Sequence, residues 1–268
     1  MKTSEQLKAI VKDKYSQIAE QSKETNASGC CGSTCGCSTD VIVMADDYSQ
    51  LGGYVPDADL GLGCGLPTEF ALIKEGDTVI DLGSGAGNDA FIARSITGEK
   101  GKVIGVDMTE RMIEKARRNA EKMKYNNVEF RLGDIENLPL NENVADVIVS
   151  NCVLNLVPDK RRAFAETFRV LKRGGHFSVS DIVLIGNLPE GLKENAEMYA
   201  GCVSGAIQKD EYLNIIKEAG FTGIEIQKEK GISLPDDILK TYLTQEEMKE
   251  FKKGNTGIFS ITVYAEKP

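Results

Sequence analysis

The sequence predicts an α/β protein built on a doubly wound parallel sheet, and three observations support this fold class. Apolar runs with strand character alternate with helix-like segments from residue 78 to residue 182. A glycine-rich turn follows the first run, and an acidic residue ends the second. Such alternation is typical of parallel sheets covered by helices on both faces. The predicted strands are 78–82, 102–106, 127–131, 145–149 and 175–182.

Helices are predicted where apolar residues recur at helical spacing. Residues 3–20 carry one apolar stripe on an otherwise polar segment. Residues 109–123 have a longer buried face, and we expect the Thr109 side chain to cap this helix. Residues 208–219 form a third helix-like segment, which Gly220 ends.

The rest of the chain divides into loops, insertions and two late strands. Residues 22–39 are small, polar and rich in cysteine, which predicts a flexible loop. Residues 188–207 and 231–252 are expected to form a substrate cap above the sheet, and the late strands lie within 221–232 and 257–268. The expected units are 1–39 for the N-terminal helix and loop, 40–187 for the nucleotide-binding core, and 188–268 for the cap and closing elements.

The glycine-rich turn and the acid that follows it describe a nucleotide pocket. Asp81 ends the first strand, and Gly83, Gly85 and Gly87 follow at two-residue spacing. Glycines let the backbone turn sharply and approach a ligand closely. Asp107 lies twenty residues after Gly87, at the end of the next strand, where it can accept both ribose hydroxyls.

The charge beside this turn discriminates between nucleotides. Dinucleotide sites use G-x-G-x-x-G, whereas this chain has G-S-G-A-G. Asp89 stands in the first helical turn, where a pyrophosphate requires positive potential. S-adenosylmethionine fits better, because its ammonium group favours nearby carboxylates such as Asp81. A core that binds NAD remains the alternative.

Two further segments resemble class I S-adenosylmethionine-dependent methyltransferases. GDIENLPL at 133–140 carries Asp134 where that family has the acid that holds the adenine amino group. ADVIVSNCVLNL at 145–156 matches the fourth strand of the family. The resemblance implies a Rossmann-like class I methyltransferase sheet whose last strand is antiparallel.

Composition excludes several other classes of function. Lys and Arg total 32 against 41 Asp and Glu, a net charge of -9, which argues against nucleic acid as a substrate. No apolar run approaches the roughly 18 residues of a membrane span, and the first twenty residues lack a signal region. We therefore expect a cytoplasmic monomer. With one histidine, His176, a Cys/His zinc site and a histidine base are both disfavoured.

Three of the seven cysteines are predicted to converge on the substrate. Cys64 precedes the first strand, Cys152 follows the fourth, and Cys202 lies in the insertion after the fifth. Ligands of open α/β sheets bind outside the carboxyl ends of the strands where strand order reverses. Any single cysteine is more often a small buried filler. Three thiolates at one point suit a soft three-coordinate centre, and trivalent arsenic is such a centre.

The segments around these cysteines resemble arsenite S-adenosylmethionine methyltransferases. ADLGLGCG, SNCVLNLVPDK and YAGCVSGA carry the resemblance, which covers roughly residues 40–228. It implies methylation of arsenite, delivered as a glutathione adduct, to mono- and dimethylated products, with glutathione or thioredoxin as thiol reductant. It assigns Cys64, Cys152 and Cys202 to arsenic, and Asp81, Gly83, Ser84, Gly85, Asp107, Met108, Asp134, Ile135 and Asn151 to S-adenosylmethionine.

The N-terminal cysteines have two interpretations. The resemblance matches Cys30 and Cys31 to vicinal cysteines of the family, although Cys35 and Cys37 crowd the same loop. Metalloid capture is the first interpretation and a structural zinc site the second. We expect residues 1–39 to be dispensable for the chemistry.

Two other functions remain open. The nucleotide site alone would suit a methyltransferase for a quinone or a sterol, and a non-catalytic thiol-rich protein could bind metalloid without turnover.

For the leading function, methylated arsenic keeps only two sulfur positions. Cys64 should be the ligand released, because the glycines around it (Gly61, Gly63 and Gly65) make its loop the most mobile platform.

Overall fold

The fold is seen in a computed structural model that describes most of the chain. The described residues are 3–21, 23, 25–26, 46–186, 205–232, 240, 243–253 and 257–268. For residues 250–253 the description covers the backbone. The predictions for Cys30, Cys31, Cys35, Cys37 and Cys202, and for the inserted residues 188–204, lie outside the described residues.

The described strands form one seven-stranded sheet. Their bounds are β1 Thr78–Leu82, β2 Lys102–Asp107, β3 Val128–Leu132, β4 Ala145–Asn151, β5 Leu171–Ile185, β6 Thr222–Ile232 and β7 Gly257–Glu266. The order across the sheet is β3-β2-β1-β4-β5-β7-β6. Strands β1 to β5 pair in parallel, and β7 runs antiparallel to both β5 and β6. The predicted α/β class, the doubly wound order and the antiparallel last strand are confirmed.

Helices cover the sheet and begin close to the predicted positions. They are α1 Ser4–Ile18, α2 Pro67–Phe70, α3 Asn88–Thr97, α4 Glu110–Lys122, α5 Lys160–Val170, α6 Lys209–Glu218 and α7 Gln245–Lys253. Thr109 is the N-cap of α4, but the prediction that its side chain caps the helix is wrong. The Thr109 hydroxyl donates to the Asp107 carboxylate instead, and the Thr109 N–H donates to the same carboxylate at 2.8 Å. In the ranges described, no helix combines the length and apolar character needed to cross a bilayer.

Burial on both faces of the sheet explains the continuous apolar runs of its central strands. Val79 of β1 packs in the layer that contains Phe91 of α3, whereas Ile80 packs on the other face with Phe164 of α5. All four side chains are fully buried. Each buried side chain of this size contributes about 1.5–3 kcal/mol. The strand ends are therefore fixed positions from which functional loops emerge.

The strand order reverses between β1 and β4. Leu82 of β1 pairs with Val106 of β2 on one side and with Ser150 of β4 on the other. Each strand ends within two residues of these pairs. The loops that begin at Gly83 and Cys152 therefore leave the same edge of the sheet.

Helix α1 docks on this same edge. Val11 is buried in the apolar cluster that contains Cys64 and Cys152. Lys12 pairs with Glu110 of α4 at 2.8 Å, and Lys115 donates to the Ala19 carbonyl at 3.0 Å. The N-terminal helix is thus part of the packed structure around the strand ends.

Candidate active site

The glycine turn after β1 has the backbone that the sequence pattern requires. Gly83 and Gly85 have φ values of 70° and 50°, in the left-handed region. The N–H groups of Gly83 and Ser84 bond to the Val106 carbonyl at 2.7 and 3.1 Å, which anchors the turn to β2. A Cβ on Gly83 would lie 2.4 Å from the Val153 side chain, whereas one on Gly85 would meet no described atom within 4 Å. Gly85 therefore faces open space where a ligand can approach.

Asp81 is a buried acid with spare hydrogen-bonding capacity. It is 2% exposed and accepts the Ala90 N–H. Within the described part of the chain, its Oδ2 has no hydrogen-bond partner. Burial, followed by the charges of Asp89 and Asp107, raises the pKa of Asp81 well above its ordinary value. A cationic donor placed here would satisfy the oxygen and stabilise the carboxylate.

The ammonium group of S-adenosylmethionine fits this requirement. Ser84 presents a second buried polar atom, because its Oγ also lacks a partner among the residues described. Buried polar groups without partners cost roughly 1–3 kcal/mol each, and a bound ligand can supply the missing bonds. Asp81, Ser84 and the open face at Gly85 thus fit a ligand with both donors and acceptors.

Asp107 ends β2, as predicted, and holds the glycine turn. Its Oδ2 accepts the Gly85 N–H at 3.0 Å and its Oδ1 accepts the Thr109 N–H at 2.8 Å. Burial raises the pKa of Asp107. A carboxylate has about four acceptor positions; the two N–H groups and the Thr109 hydroxyl use three of them, which leaves one for a ribose hydroxyl.

The far end of the candidate pocket lies after β3. Asp134 is partly exposed, while Ile135 is buried next to it. Met108 is half-buried and packs on the cluster that contains Val11 of α1. These positions suit an adenine ring, which needs apolar contact and an acceptor for its amino group.

Lys8 of α1 reaches this end of the pocket. Its Nζ lies 2.6 Å from Asp134 and 2.5 Å from Glu136. Burial lowers the pKa of Lys8, but hydrogen bonds to both carboxylates outweigh it and raise the value overall. The acid expected to meet the adenine amino group is therefore already ion-paired to the N-terminal helix.

Asn151 hydrogen-bonds to the Cys64 loop. Its Oδ1 accepts the Cys64 N–H at 3.0 Å, and its Nδ2 donates to the Gly65 carbonyl at 2.8 Å. The amide also donates to Asp89 at 3.3 Å and to the Tyr48 hydroxyl. Asn151 therefore stands between the predicted cofactor pocket and the first of the predicted arsenic ligands.

Cys64 lies in a loop held on several sides. It is 1% exposed, and its carbonyl accepts Ser260 Oγ of β7 at 2.5 Å. The mobility predicted for this loop stays a prediction, but one of its glycines has a packing role. A Cβ on Gly65 would lie 2.5 Å from Ser180 Oγ, so glycine is needed there for close approach rather than for freedom.

Cys152 follows β4 directly and faces the same cluster. It is 7% exposed, and its N–H donates to the Ser180 carbonyl at 2.7 Å. Cys64 and Cys152 share one apolar cluster with Leu243 and Met248 from the predicted cap insertion. The structure thus brings together the two arsenic-ligand candidates that it describes.

A buried acid lies behind the two cysteines. Asp181 of β5 is fully buried and accepts the Tyr212 hydroxyl at 3.0 Å. Burial raises the pKa of Asp181 to about 7, although the nearby Lys160 ammonium opposes the rise. Burial and Asp181 raise the pKa of Tyr212, with smaller contributions from Cys64 and Cys152.

Three contact residues were missed by sequence reasoning. Tyr48 lies in a loop without a motif, Ser260 lies on a late strand, and Lys8 lies on the polar face of α1. Their partners are 41, 196 and 126 residues away along the chain. Only the three-dimensional arrangement of the strands reveals these contacts.

Comparison with known proteins identifies the family. A family model described as a methyltransferase domain matches residues 73–220, which is more than half of the chain. The chain belongs to this methyltransferase family. An arsenite methyltransferase of Halobacterium salinarum is 41% identical over 235 residues, covering 83% of this chain and 59% of that protein. One from Aquipseudomonas alcaligenes is 31% identical over 236 residues, covering 85% and 66%.

A solved structure supports the same relationship. The arsenic(III) S-adenosylmethionine methyltransferase of Chlamydomonas reinhardtii matches with a TM-score of 0.64 at 33% identity, covering 75% of this chain and 66% of that one. The predicted family resemblance is confirmed by these relatives. The chain spans 59% and 66% of the lengths of the two curated relatives above.

Proposed function

We propose that this protein transfers the methyl group of S-adenosylmethionine to trivalent arsenic held by cysteine thiolates. The observation that carries the proposal is the packing of Cys64 and Cys152 in one buried cluster at the carboxyl edge of the sheet. That edge also carries the glycine turn and Asp107, and the relatives that match most of the chain are named arsenite methyltransferases.

The residues after β1, β2 and β3 have separate roles in holding the cofactor. Asp81 would face the ammonium group and Asp107 the ribose hydroxyls, while Met108 would pack on the adenine. Asp134 and the Ile135 backbone would meet the adenine edge, with Gly83, Ser84, Gly85 and Asn151 completing the pocket. When bound, S-adenosylmethionine supplies a methyl group on a positively charged sulfur.

The thiolates of Cys64, Cys152 and Cys202 would hold arsenic as a pyramid with its lone pair on the open face. That lone pair forms the As–C bond, and the electrons of the broken S–C bond stay on sulfur. No proton has to leave the reacting atom. Alignment of this kind supplies about 7–11 kcal/mol of barrier lowering in well-oriented systems.

Electron balance requires a reductant between steps. Methyl transfer raises arsenic formally from +3 to +5, and two electrons restore the trivalent state. Two glutathione thiols, or the thiol pair of thioredoxin, supply these two electrons and become one disulfide. Repetition of the cycle gives the mono- and dimethylated products.

The N-terminal cysteines would capture or exchange metalloid without taking part in the chemistry. Deleting residues 1–39 is a poor test of this role, because it also removes Val11 and Lys8, which pack at the active-site edge. Replacing Cys30 and Cys31 by serine removes only the thiols. Turnover on a thiol-complexed substrate should then be spared.

The decisive experiment is incubation of the protein with arsenite, glutathione and methyl-labelled S-adenosylmethionine. We expect label in methylarsenic species separated by chromatography, first the mono- and then the dimethylated form. Cys152→Ser is the matched control and should give no labelled arsenic. Labelled arsenic in that variant would contradict the proposed ligand set.

The same experiment separates the rival functions. A methyltransferase for a quinone or a sterol would leave arsenic unlabelled and would not depend on Cys64 or Cys152. A non-catalytic metalloid-binding protein would retain arsenite by equilibrium dialysis and transfer no label.

A further inference from the structure

The planar side-chain amide of Asn151 hydrogen-bonds to the backbone on both sides of the Cys64–Gly65 peptide. Asn151 Oδ1 accepts the Cys64 N–H at 3.0 Å, while Asn151 Nδ2 donates to the Gly65 carbonyl at 2.8 Å. A Cβ on the preceding Gly63 would lie 3.0 Å from Nδ2, so the loop also packs closely on the amide. The donor and acceptor ends of the amide are each matched to their partners, which fixes its orientation.

Tyr48 supports this amide from the other side. The hydroxyl accepts a hydrogen bond from Asn151 Nδ2. It also lies 3.1 Å from both the Gly65 carbonyl and Asp89 Oδ2, so its single proton can serve either oxygen. Burial, followed by the Asp89 charge, holds the pKa of Tyr48 well above its ordinary value, so the hydroxyl stays protonated.

Asp89 connects the same network to the cofactor pocket. It lies in the first turn of α3, directly after the glycine turn, and accepts bonds from Tyr48 and Asn151. Its charge is also one of the causes of the raised pKa of Asp81. We call Tyr48, Asn151 and Asp89 the Cys64 clamp.

We propose that the Cys64 clamp positions the Cys64 thiol for the first methyl transfer and links it to occupancy of the cofactor pocket. Tyr48 and Asn151 act here as positioning residues, through hydrogen bonds to the Cys64 loop. The inference rests on the proposed function, because it concerns arsenic bound through Cys64.

Step selectivity follows from the coordination chemistry. Arsenite needs three sulfur ligands, whereas methylarsenite has only two positions for sulfur and does not need Cys64. A defect in the clamp should therefore slow the first transfer and spare the second. A general loss of stability would slow both steps alike.

Linkage to the cofactor follows from the charge of Asp89. Burial raises the pKa of Asp89 to about 6, so near that pH this acid is partly protonated and a cationic group at Asp81 favours its ionised form. Ionised acceptors make shorter and stronger hydrogen bonds to Tyr48 and Asn151. Cofactor binding should then tighten arsenite binding, and arsenite should tighten cofactor binding by the same factor.

Tyr48→Phe is the most conservative test, because it removes one hydroxyl from a buried ring. The kcat for arsenite should fall about tenfold, the effect of losing one hydrogen bond to a charged group, while the kcat for methylarsenite stays within about twofold. Tyr54→Phe is the matched control, since the Tyr54 hydroxyl bonds to Asp59 at 3.0 Å, outside the clamp. Both of its rates should stay within about twofold.

Asn151→Asp gives a second, stronger test. The carboxylate keeps an acceptor for the Cys64 N–H but places an oxygen against the Gly65 carbonyl and Asp89. The ratio of first-step to second-step kcat should fall further than in Tyr48→Phe. An unchanged ratio in both variants would overturn the positioning role.

The linkage is measured by calorimetry of arsenite binding with and without S-adenosylhomocysteine, which carries the same ammonium group but no transferable methyl. The intact protein should bind arsenite more tightly with this ligand present, and Tyr48→Phe should reduce the difference below about twofold. Equal slowing of both steps, or a difference that persists in Tyr48→Phe, would overturn the inference. If the intact protein does not methylate arsenite, the proposed function itself fails.

Discussion

The glycine turn after β1 and the Cys64 loop both border the proposed active site but are built differently. The turn is contiguous in sequence, and its residues from Asp81 to Gly87 depend mainly on backbone conformations that glycine permits. The Cys64 loop is fixed by groups on β4 and β7, 87 and 196 residues away. A local pattern therefore predicts the first region, whereas only the assembled sheet explains the second.

The two regions also differ in how many of their polar groups have hydrogen-bond partners. Asp81 Oδ2 and Ser84 Oγ lack partners in the described part of the chain, so the turn can receive a polar ligand. In the Cys64 loop, the Cys64 N–H, the Cys64 carbonyl and the Gly65 carbonyl are all bonded. The loop thus has a bonded backbone, whereas the turn presents polar atoms that a ligand can bond.

Substitutions of single cysteines should have the largest effects, and they should distinguish the role of Cys64 from the roles of the other two predicted arsenic ligands. Serine replaces a soft thiolate with a hard, protonated hydroxyl. Cys152→Ser and Cys202→Ser should each lower both methylation rates by about 100-fold or more, and Cys64→Ser should do so only for arsenite. The measurement is the initial rate on arsenite and on methylarsenite.

Cys31→Ser provides the control for these cysteine variants and should keep both rates on thiol-complexed substrates. Near-normal rates on both substrates in Cys152→Ser or Cys202→Ser would remove that residue from the ligand set. Loss of both steps in Cys64→Ser would show that three ligands are needed throughout.

Asp107→Ala tests the cofactor side of the comparison and should leave the cysteines unaffected. The variant loses a charged acceptor for ribose and the bond to the Gly85 N–H, so cofactor affinity should fall by about 1.5–3 kcal/mol, or roughly 10- to 150-fold. Calorimetry with S-adenosylhomocysteine measures the change. Glu114→Ala, which removes an exposed acid from α4, is the control. Equal affinities in Asp107→Ala and Glu114→Ala would reject the assignment.

The smallest expected effect on activity, and a clear one on stability, concerns Asp181 behind the cysteines. Its folded pKa of about 7 is above the ordinary value of 3.8. Such a group favours folding while it is protonated, so its contribution is complete below about pH 4 and is lost as the pH rises through about 7. The loss amounts to roughly 4 kcal/mol at 1.36 kcal/mol per pKa unit.

Urea unfolding between pH 4 and pH 8 checks this expectation. The side chain of the Asp181→Asn variant cannot ionise, so the unfolding free energy of the variant should increase relative to that of the wild type as the pH rises. Asp210→Asn, at an exposed acid in the first turn of α6, is the control. Parallel curves for Asp181→Asn and the wild type would mean that Asp181 does not titrate in this range.

The success of the sequence analysis follows the same division between local and distant contacts. The strands and the turn were predictable because apolar periodicity and glycine spacing act over a few residues. The packing role of Gly65 was not predictable in this way, because it depends on the close approach of Ser180 from a distant strand. The clamp residue Tyr48 carried no pattern at all. Its role depends on Asp89 and Asn151, which the sheet brings to it.

The backbone at Cys152 has a consequence for protein engineering. Its φ of 60° lies in the left-handed region, which costs a residue with a side chain about 1–2 kcal/mol and costs glycine little. Glycine is therefore the residue that backbone geometry alone would favour at this position. A library screened only for heat resistance would tend to replace Cys152, and under the proposed ligand set its most robust members would lose activity. Screens for hardier variants should hold this position fixed and seek their gains elsewhere in the sheet.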